Sequence, residues 1–516
     1  MLTELRVVSL GTCLIVALVA SLLYYLFLTI KKNAAIRKYG GTRIYSLYSN
    51  PITAIPWTVY LMRNVARNTV LQMYETRYGA LPPGSMHAFE LQASPGARSI
   101  ETREPAHIKA VLAGQFSDFG KGPLFHKIWS PFLGDSIFTT DGKAWHNSRA
   151  LIRPMFLTDR ISDLHIFERC TSKMISHIPS SGETIDIMDL FFRMTLDVTT
   201  DFLLGSSVNS LDNPDGEFTK AFNDILHHQL KFHILKKLSP LDKLWPRAEY
   251  NRYIKTIEDF INPFIQRTLA MPAEELEKFT KSDKSFTFLH NLAQFTQDPK
   301  VIRDQLIAVL LAGRDTTAAT LSWVFYELAA CPDKVARLRA EVLEFVGKHE
   351  TPTYETVKNM KYLRYTLQET LRLHPAVPLN QREVLADTTL PGLNGHPDIG
   401  LCKGDNVSYS PLVLHRRRDL YPPTSETFAD PSTFSPERWY VWQPRPWEYI
   451  PFNGGPRICP GQNFALTEMS YCIVRMLQKF DRIEYRGDWH AQQEQTDVIS
   501  RPSLGVPVAF FEASDE

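Results

Sequence analysis

From Val7 to Ile30 the chain has no charged residue. At about 1.5 Å of helical rise per residue, that run is long enough to cross a hydrocarbon core of roughly 30 Å. It also lacks the small-residue cleavage site of a secretory leader and closes on Thr29-Ile30-Lys31-Lys32, so a retained spanning helix is expected. Cysteine is scarce: Cys13, Cys170, Cys331, Cys402, Cys459 and Cys472 are scattered, with no CxxC pair. That spacing argues against a disulfide framework and suits a reducing compartment. An excess of either charge is missing as well. The formal net charge is +1, with 22% charged and 44% hydrophobic residues, which gives no push toward nucleic acid.

Positive charge near the span lies mainly after it, at Lys31, Lys32, Arg37 and Lys38, and the positive-inside rule then puts the body of the protein in the cytoplasm. The expected organisation is a membrane anchor over 1–32 with the spanning helix at about 7–30, a linker over 33–60, and a single domain over 61–516. Ser49-Asn50-Pro51 and Ile55-Pro56 read as a hinge, and the segment to Tyr78 has helical texture suited to lying against a bilayer. Met86 to Leu91 and Arg98 to Thr102, parted by Ser94-Pro95-Gly96, read as two short strands. Ser117 to Gly134 reads as an aromatic-rich loop, with Lys121 and Lys127 as candidate anchors for a substrate carboxylate.

Leu190, Met194, Val198 and Phe202 recur every four residues and predict a helix with a core-facing stripe. Phe218 to Leu238 carries His227, His228 and His233, but no carboxylate or cysteine joins them at ligand spacing, so a basic amphipathic face is expected rather than a metal site. Met271 to Lys284 is polar and reads as a surface connection. Asp298-Pro299 supplies an N-cap and a first-turn proline, and Pro332 stops the pattern; between them lie about 32 residues, or about 48 Å of helix.

The middle of that helix reads Ala312-Gly313-Arg314-Asp315-Thr316-Thr317. Gly, Asp and Thr are poor helix formers and compete for backbone hydrogen bonds, which predicts a local distortion. A hydroxyl beside a carboxylate can hold an ordered water and relay protons. Near the C-terminus, Phe452-Asn453-Gly454-Gly455-Pro456-Arg457-Ile458-Cys459-Pro460-Gly461 presents one cysteine on a glycine- and proline-bounded loop. A helix is expected from Asn463 to Phe480, and the preceding cysteine is placed to be stabilised as a thiolate by the helix N-terminus, a form suited to binding a soft metal.

The order Phe452, Gly455, Arg457, Cys459, Gly461 resembles the haem-ligand loop of the cytochrome P-450 superfamily. Ala312 to Thr317 resembles the oxygen-binding segment of the same superfamily, and Glu369-Thr370-Leu371-Arg372 its E-x-x-R element, with Arg438 as third partner. The resemblance implies a mainly α fold with small β-sheets, preceded by one transmembrane helix. It implies haem b with Cys459 as the metal ligand and Phe452 and Gly461 in the cofactor loop. Ala312 and Gly313 would lie beside the haem, Asp315 and Thr316 would deliver protons, and Trp145, Arg149, Arg382 and Arg457 would hold the propionates. It further implies O2 as substrate, electrons from NADPH through a membrane-bound reductase, an apolar small-molecule substrate, and a single-pass location in the endoplasmic reticulum membrane with the catalytic domain cytosolic.

Within that superfamily, Leu133 to Thr139, Ala312 to Thr317 and Pro451 to Cys459 resemble the subfamily of fungal, endoplasmic-reticulum alkane and fatty-acid hydroxylases. Terminal or near-terminal hydroxylation of long-chain fatty acids or alkanes is therefore expected. Pro378-Leu379-Asn380-Gln381-Arg382 departs from that subfamily's usual Pro-Arg-Asn-x-Arg, which keeps oxidation of a polyketide or terpenoid in a fungal pathway as the alternative. A haem-thiolate isomerase or dehydratase, or a haem carrier without turnover, would not require the Asp315-Thr316 pair.

Overall fold

The computed structural model describes residues 2–48, 51–94, 97–157, 164–179, 182–238, 246–278 and 286–513. Two compact units are distinguished: the first holds Met1–Ala66, Gln72–Gly122 and Asn380–Ser410, the second Arg67–Leu71, Pro123–Leu379 and Pro411–Glu516.

In the first unit, helix α1 (Leu2–Lys38) runs unbroken through the uncharged stretch. Ile15, Leu18, Leu22, Phe27 and Ile30 are exposed along it, and the span Gly11–Lys38 is long and apolar enough to cross a membrane. The helix does not end at the lysines. Asn33 to Lys38 continue it, Ile36 is buried, and strand β1 (Ser46–Tyr48) and helix α2 (Pro51–Ala66) follow. The expected linker over 33–60 is thus replaced by regular structure, because Ile36 and the strand residues have partners within the unit. Pro56, expected in a hinge, sits inside α2 beyond the four unpaired N–H groups of its first turn, so its missing N–H removes one bond of the helical ladder. Ser49 and Asn50 of that hinge, Pro95 and Gly96, and 279–284 of the expected surface connection lie outside the described residues; Ala273–Lys278 of that connection form a short helix.

Strands β2 (Ala88–Ser94), β3 (Ala97–Thr102), β4 (Phe119–Gly120), β5 (Asn380–Val384), β6 (Thr388–Leu390), β7 (Ile399–Leu401) and β8 (Asn406–Tyr409) complete this unit. Six strands form one sheet in the order β1-β2-β3-β8-β5-β4, and β6 pairs with β7. The β1–β2 and β3–β8 pairings are parallel. Phe89, Ile100, Val384 and Val407 are fully buried, so alternate positions of four strands supply its core.

The second unit is mainly helical. The expected loop Ser117 to Gly134 instead contains helix α3 (Gly122–Leu133), in which Ile128, Trp129, Phe132 and Leu133 are buried. Phe125, Ile128, Trp129 and Phe132 stand at i, i+3, i+4 and i+7; aromatic crowding and Pro131 concealed that repeat. Helix α4 (Gly142–Ile152) follows, then α5 (Ile187–Leu204), where Leu190, Phe191, Met194, Val198 and Phe202 form the expected core stripe. In helix α6 (Glu217–Leu238), His228 Nε2 lies 3.3 Å from Glu249 and His233 Nδ1 accepts the Trp129 indole N–H at 3.1 Å. Helix α7 (Pro299–Ala329) has 31 residues, with Asp298 capping the Lys300 and Val301 N–H groups. It ends before Pro332, which opens the next helix. Helix α8 (Lys361–Leu373) and helix α9 (Gln462–Lys479) complete the core, beside a sheet in which Phe480–Tyr485 pairs with Pro507–Glu512 and the latter with Ile185–Asp186.

Candidate active site

Cys459 is a free, part-exposed cysteine three residues before the start of α9. Its N–H donates to the Phe452 carbonyl at 3.0 Å, which closes the loop, and the Gly461 N–H hydrogen-bonds its sulfur. The expected helix-terminus stabilisation of a thiolate is not what prevails in the protein alone. Burial pushes the Cys459 thiol up to about 11, against the smaller opposing effects of Gly461 and the Arg149 charge. Desolvation wins because the sulfur is enclosed although the residue as a whole is part-exposed, and burial outweighs the two lowering effects. Metal ligation reverses this, since a coordinated thiol is deprotonated outright.

The loop is tied to α4 and the chain just before it. Arg149 Nη1 donates to the Ile458 carbonyl at 2.9 Å. Arg457 Nη2 reaches Asp141 at 2.7 Å and the Thr140 carbonyl at 2.9 Å, while its Nη1 reaches the Ile137 carbonyl at 3.4 Å. The guanidinium carbons of Arg457 and Arg149 lie 4.6 and 5.8 Å from the buried Trp145 ring centroid, so the indole serves as a platform for both cations. Asp141 has no sequence signature, and its pairing with Arg457 emerges only from the fold. The Gly461 Cα faces Phe156, 3.4 Å from where a Cβ would stand. Phe452 is part-buried in the same loop. Arg382 belongs to the first unit, on β5, where it is buried, donates to the Gln381 carbonyl and lies over Tyr409.

Helix α7 shows no break at the expected distortion; 299–329 are α-helical throughout. The Thr316 hydroxyl donates to the Ala312 carbonyl at 2.8 Å, which satisfies the side chain without opening the helix. Asp315 does not contact Thr316. Its carboxylate lies 3.0 Å from Arg314 Nη1, and burial raises its pKa while Arg314 and Arg501 oppose the shift. Arg314 is itself packed between Phe192 and Phe222, donates to the Phe192 carbonyl and is bonded to Asn223. Sequence reading missed this clamp, because only the unusual Arg314 in a buried helix hinted at it. Gly313 also acts differently from expectation: a Cβ there would stand 3.0 Å from Thr199 Oγ1 and 3.1 Å from its Cγ2, so the space it leaves is taken up by α5.

Between Asp304 and Ala329 every residue of α7 is buried except Ala312, Gly313 and Thr316, an i, i+1, i+4 patch of small residues. An uncovered small-residue patch in an otherwise buried helix, an available soft sulfur donor, and two guanidinium groups around an indole fit a flat, largely apolar metal cofactor with acidic substituents. Beside these residues, Glu369 meets Arg372 at 2.8 and 2.9 Å, Arg438 at 3.0 Å and the Trp439 indole N–H at 3.0 Å, all buried. This E-x-x-R network holds structure and contacts no reacting group. Trp439, next to Arg438, was not identified from sequence. Lys127 is exposed on α3, and Lys121 lies in the turn that precedes it.

The sequence matches the family described as Cytochrome P450 over residues 96–508. It is similar to cytochrome P450 monooxygenase pvhE of Talaromyces variabilis, 47% identical over 437 residues, covering 80% of each chain. Cytochrome P450 52A13 of Debaryomyces hansenii is 41% identical over 76% of this chain and 78% of its own. Cytochrome P450 52A1 of Candida tropicalis is 40% identical over 81% of this chain and 78% of its own. With the cysteine loop, the buried E-x-x-R network and the long capped helix all in place, the chain belongs to the cytochrome P450 family and is a cytochrome P450 monooxygenase.

Proposed function

We propose that this monooxygenase hydroxylates a long-chain fatty acid or alkane at or near its end, using haem b held through Cys459. The haem part of the reading is carried by the joint presence of the Cys459 thiol and the part-exposed Ala312-Gly313-Thr316 patch on α7. The substrate part is carried by the resemblance of Leu133 to Thr139, Ala312 to Thr317 and Pro451 to Cys459 to fatty-acid and alkane hydroxylases. When bound, the haem supplies the oxidising chemistry that puts one oxygen atom of O2 into a C–H bond and releases the other as water. Family membership implies the haem-thiolate centre, an apolar substrate and a reductase partner.

The chain's own residues prepare that chemistry. Cys459 would bind the iron, and the Gly461 N–H hydrogen-bonds its sulfur. Phe452 closes the loop through its carbonyl. Trp145, Arg149 and Arg457 would hold the propionates, since planar guanidinium forks meet carboxylates through paired N–H groups; for Arg382 the same role rests on the family resemblance alone. Ala312 would keep α7 low beside the cofactor, while Gly313 lets α7 approach Thr199 of α5. Thr316 donates to the Ala312 carbonyl and so keeps its lone pairs available for an ordered water. Asp315 would take up a proton from solvent and release it toward that water; burial favours its protonated form while Arg314 opposes it.

The reading includes one catalytic domain over 61–516, consistent with a family match that takes in parts of both units. It also places α1 as a single-pass anchor in the endoplasmic reticulum membrane, with the catalytic domain in the cytosol beside a membrane-bound NADPH-dependent reductase. A second reading, oxidation of a polyketide or terpenoid, is favoured by Leu379 and Gln381 in the departing segment. Incubating the reductase-reconstituted enzyme with fatty acids, alkanes and extracts of the source organism separates the two. Hydroxy fatty acid or alcohol is the expected product; turnover of an extract metabolite with none of the fatty acids or alkanes oxidised would reverse the order.

A further inference from the structure

The junction between α1 and the first unit's sheet is closed by a ring of charges that begins and ends on adjacent residues of α1. Lys32 Nζ is bonded to Asp405 Oδ1. Asp405 Oδ2 takes Arg98 Nη1 at 3.3 Å and the Cys402 N–H at 2.9 Å. Arg98 Nε lies 2.8 Å from Glu90 Oε2, and its Nη2 donates to the Gly400 carbonyl at 2.9 Å. Glu90 Oε1 is bonded to Arg43, whose Nη1 returns to Asn33 at 3.2 Å. The side chains of Asp405, Arg98 and Glu90 have 0% exposure, so salt in solution screens them little.

A second set of contacts at the same junction is uncharged. A Cβ on Gly400 would stand 2.6 Å from Ile36 Cγ2, and one on Gly41 would stand 2.4 Å from the Gly400 Cα. Only two glycines allow the chain leaving α1 to cross β7 this closely. Thr42 then donates to the Asp398 carbonyl at 2.8 Å, and the Gly400 N–H donates to the Thr42 carbonyl at 3.0 Å. A flexible tether needs neither a buried ion ring nor a glycine crossing.

From these contacts we infer that α1 is a rigid strut, clamped to the six-stranded sheet through Lys32 and Asn33 and to β7 through Ile36 and Gly41, that holds the first unit at one depth and tilt on a lipid bilayer. This rests on reading α1 as the membrane span. The bilayer is left near Lys31, which is exposed, whereas its neighbour Lys32 turns into the ring. Depth and tilt are then set by side chains distant in sequence, and the bilayer-facing edge of the unit cannot rotate freely about a linker.

The test uses the full-length protein in phosphatidylcholine vesicles. Trypsin can reach Arg37 and Lys38, exposed residues of the clamped segment, only when the segment opens. Lys32→Met should raise the cleavage rate there by at least about tenfold, because buried Asp405 Oδ1 loses its Lys32 cation and Asp405 is left with Arg98, which it shares with Glu90. Lys31→Met removes the same charge one residue away and should cleave like wild type. Ile36→Ala, which trims the Gly400 contact and keeps every charge, should also accelerate cleavage and stands in if Lys32→Met does not fold. Each variant is scored as protein that keeps the wild-type carbon monoxide spectrum. Wild-type cleavage rates in both Lys32→Met and Ile36→Ala, or equal acceleration by Lys31→Met and Lys32→Met, would overturn the clamp. Extraction of the wild-type protein by alkaline carbonate would instead overturn the spanning reading, with every rate comparison left to report on the clamp alone.

Discussion

Replacing Glu369 by Gln should cost a large part of the fold's stability without touching a reacting group. The carboxylate accepts from Arg372 Nε and Nη2, Arg438 Nε, the Ser435 N–H and the Trp439 indole. Glutamine offers one oxygen and turns an NH2 toward donors, leaving two buried guanidinium groups without a counter-charge. Breaking a buried pair from one side costs about 3–5 kcal/mol, a large part of a typical total of about 5–15 kcal/mol. Urea unfolding followed by far-ultraviolet circular dichroism should show a lower midpoint with an unchanged slope. The pH dependence has a definite sign. Burial pushes the Glu369 carboxyl up, but the Arg372 and Arg438 charges and the Ser435 N–H bring it below the ordinary value. Its stabilisation is therefore complete above the unfolded carboxylate range and is lost as pH falls through the lowered folded value, and Glu369→Gln should remove that acid-side loss. A variant less than about 1 kcal/mol weaker than wild type would refute the network's structural role, since that is the size of an exposed pair.

Gly313→Ala should destabilise by about 1–3 kcal/mol through overpacking against Thr199, with about 1 kcal/mol returned by helix propensity; thermal melts of Gly313→Ala with and without Thr199→Ala check it, the double variant recovering most of the loss. Thr316→Ala should keep substrate binding but divert NADPH electrons to peroxide, read as the ratio of product to NADPH consumed; full coupling would remove Thr316 from the proton path. Glu327 pairs with His374 at 3.0 Å, and its pKa is pushed up to about 8, chiefly by burial and next by the Glu369 charge. The folded state then holds a proton that the unfolded state has lost, so stability should fall as pH rises from the ordinary carboxylate range to about 8 and level off beyond it. Glu327→Gln should flatten that slope in melts taken across the range.

What the sequence made legible was whatever repeats or caps locally. The α5 stripe at Leu190, Met194, Val198 and Phe202, the Asp298-Pro299 start of α7 and the Glu369–Arg372 spacing all follow from contacts three or four residues apart. Helix α3 was hidden because aromatic residues and Pro131 masked the same kind of repeat. Pairings over long separations left no such trace. Asp141 with Arg457, Arg314 with Asn223 and Phe222, and Lys32 with Asp405 are brought together only by tertiary packing. The identities Asp315 and Thr316 were readable, but their separate partners, Arg314 and the Ala312 carbonyl, were not. The glycine- and proline-bounded loop around Cys459 was legible, whereas the raised thiol pKa depends on burial that no local pattern encodes.

The central claim is that Cys459 holds the haem iron as a thiolate. The difference spectrum of the dithionite-reduced protein with and without carbon monoxide tests it most directly. Wild type should give the red-shifted Soret band of a thiolate-ligated haem, and Cys459→Ser should lose that band while Glu369, Arg372 and the helical far-ultraviolet signal remain as in wild type. A red-shifted band that survives in Cys459→Ser would contradict the assignment.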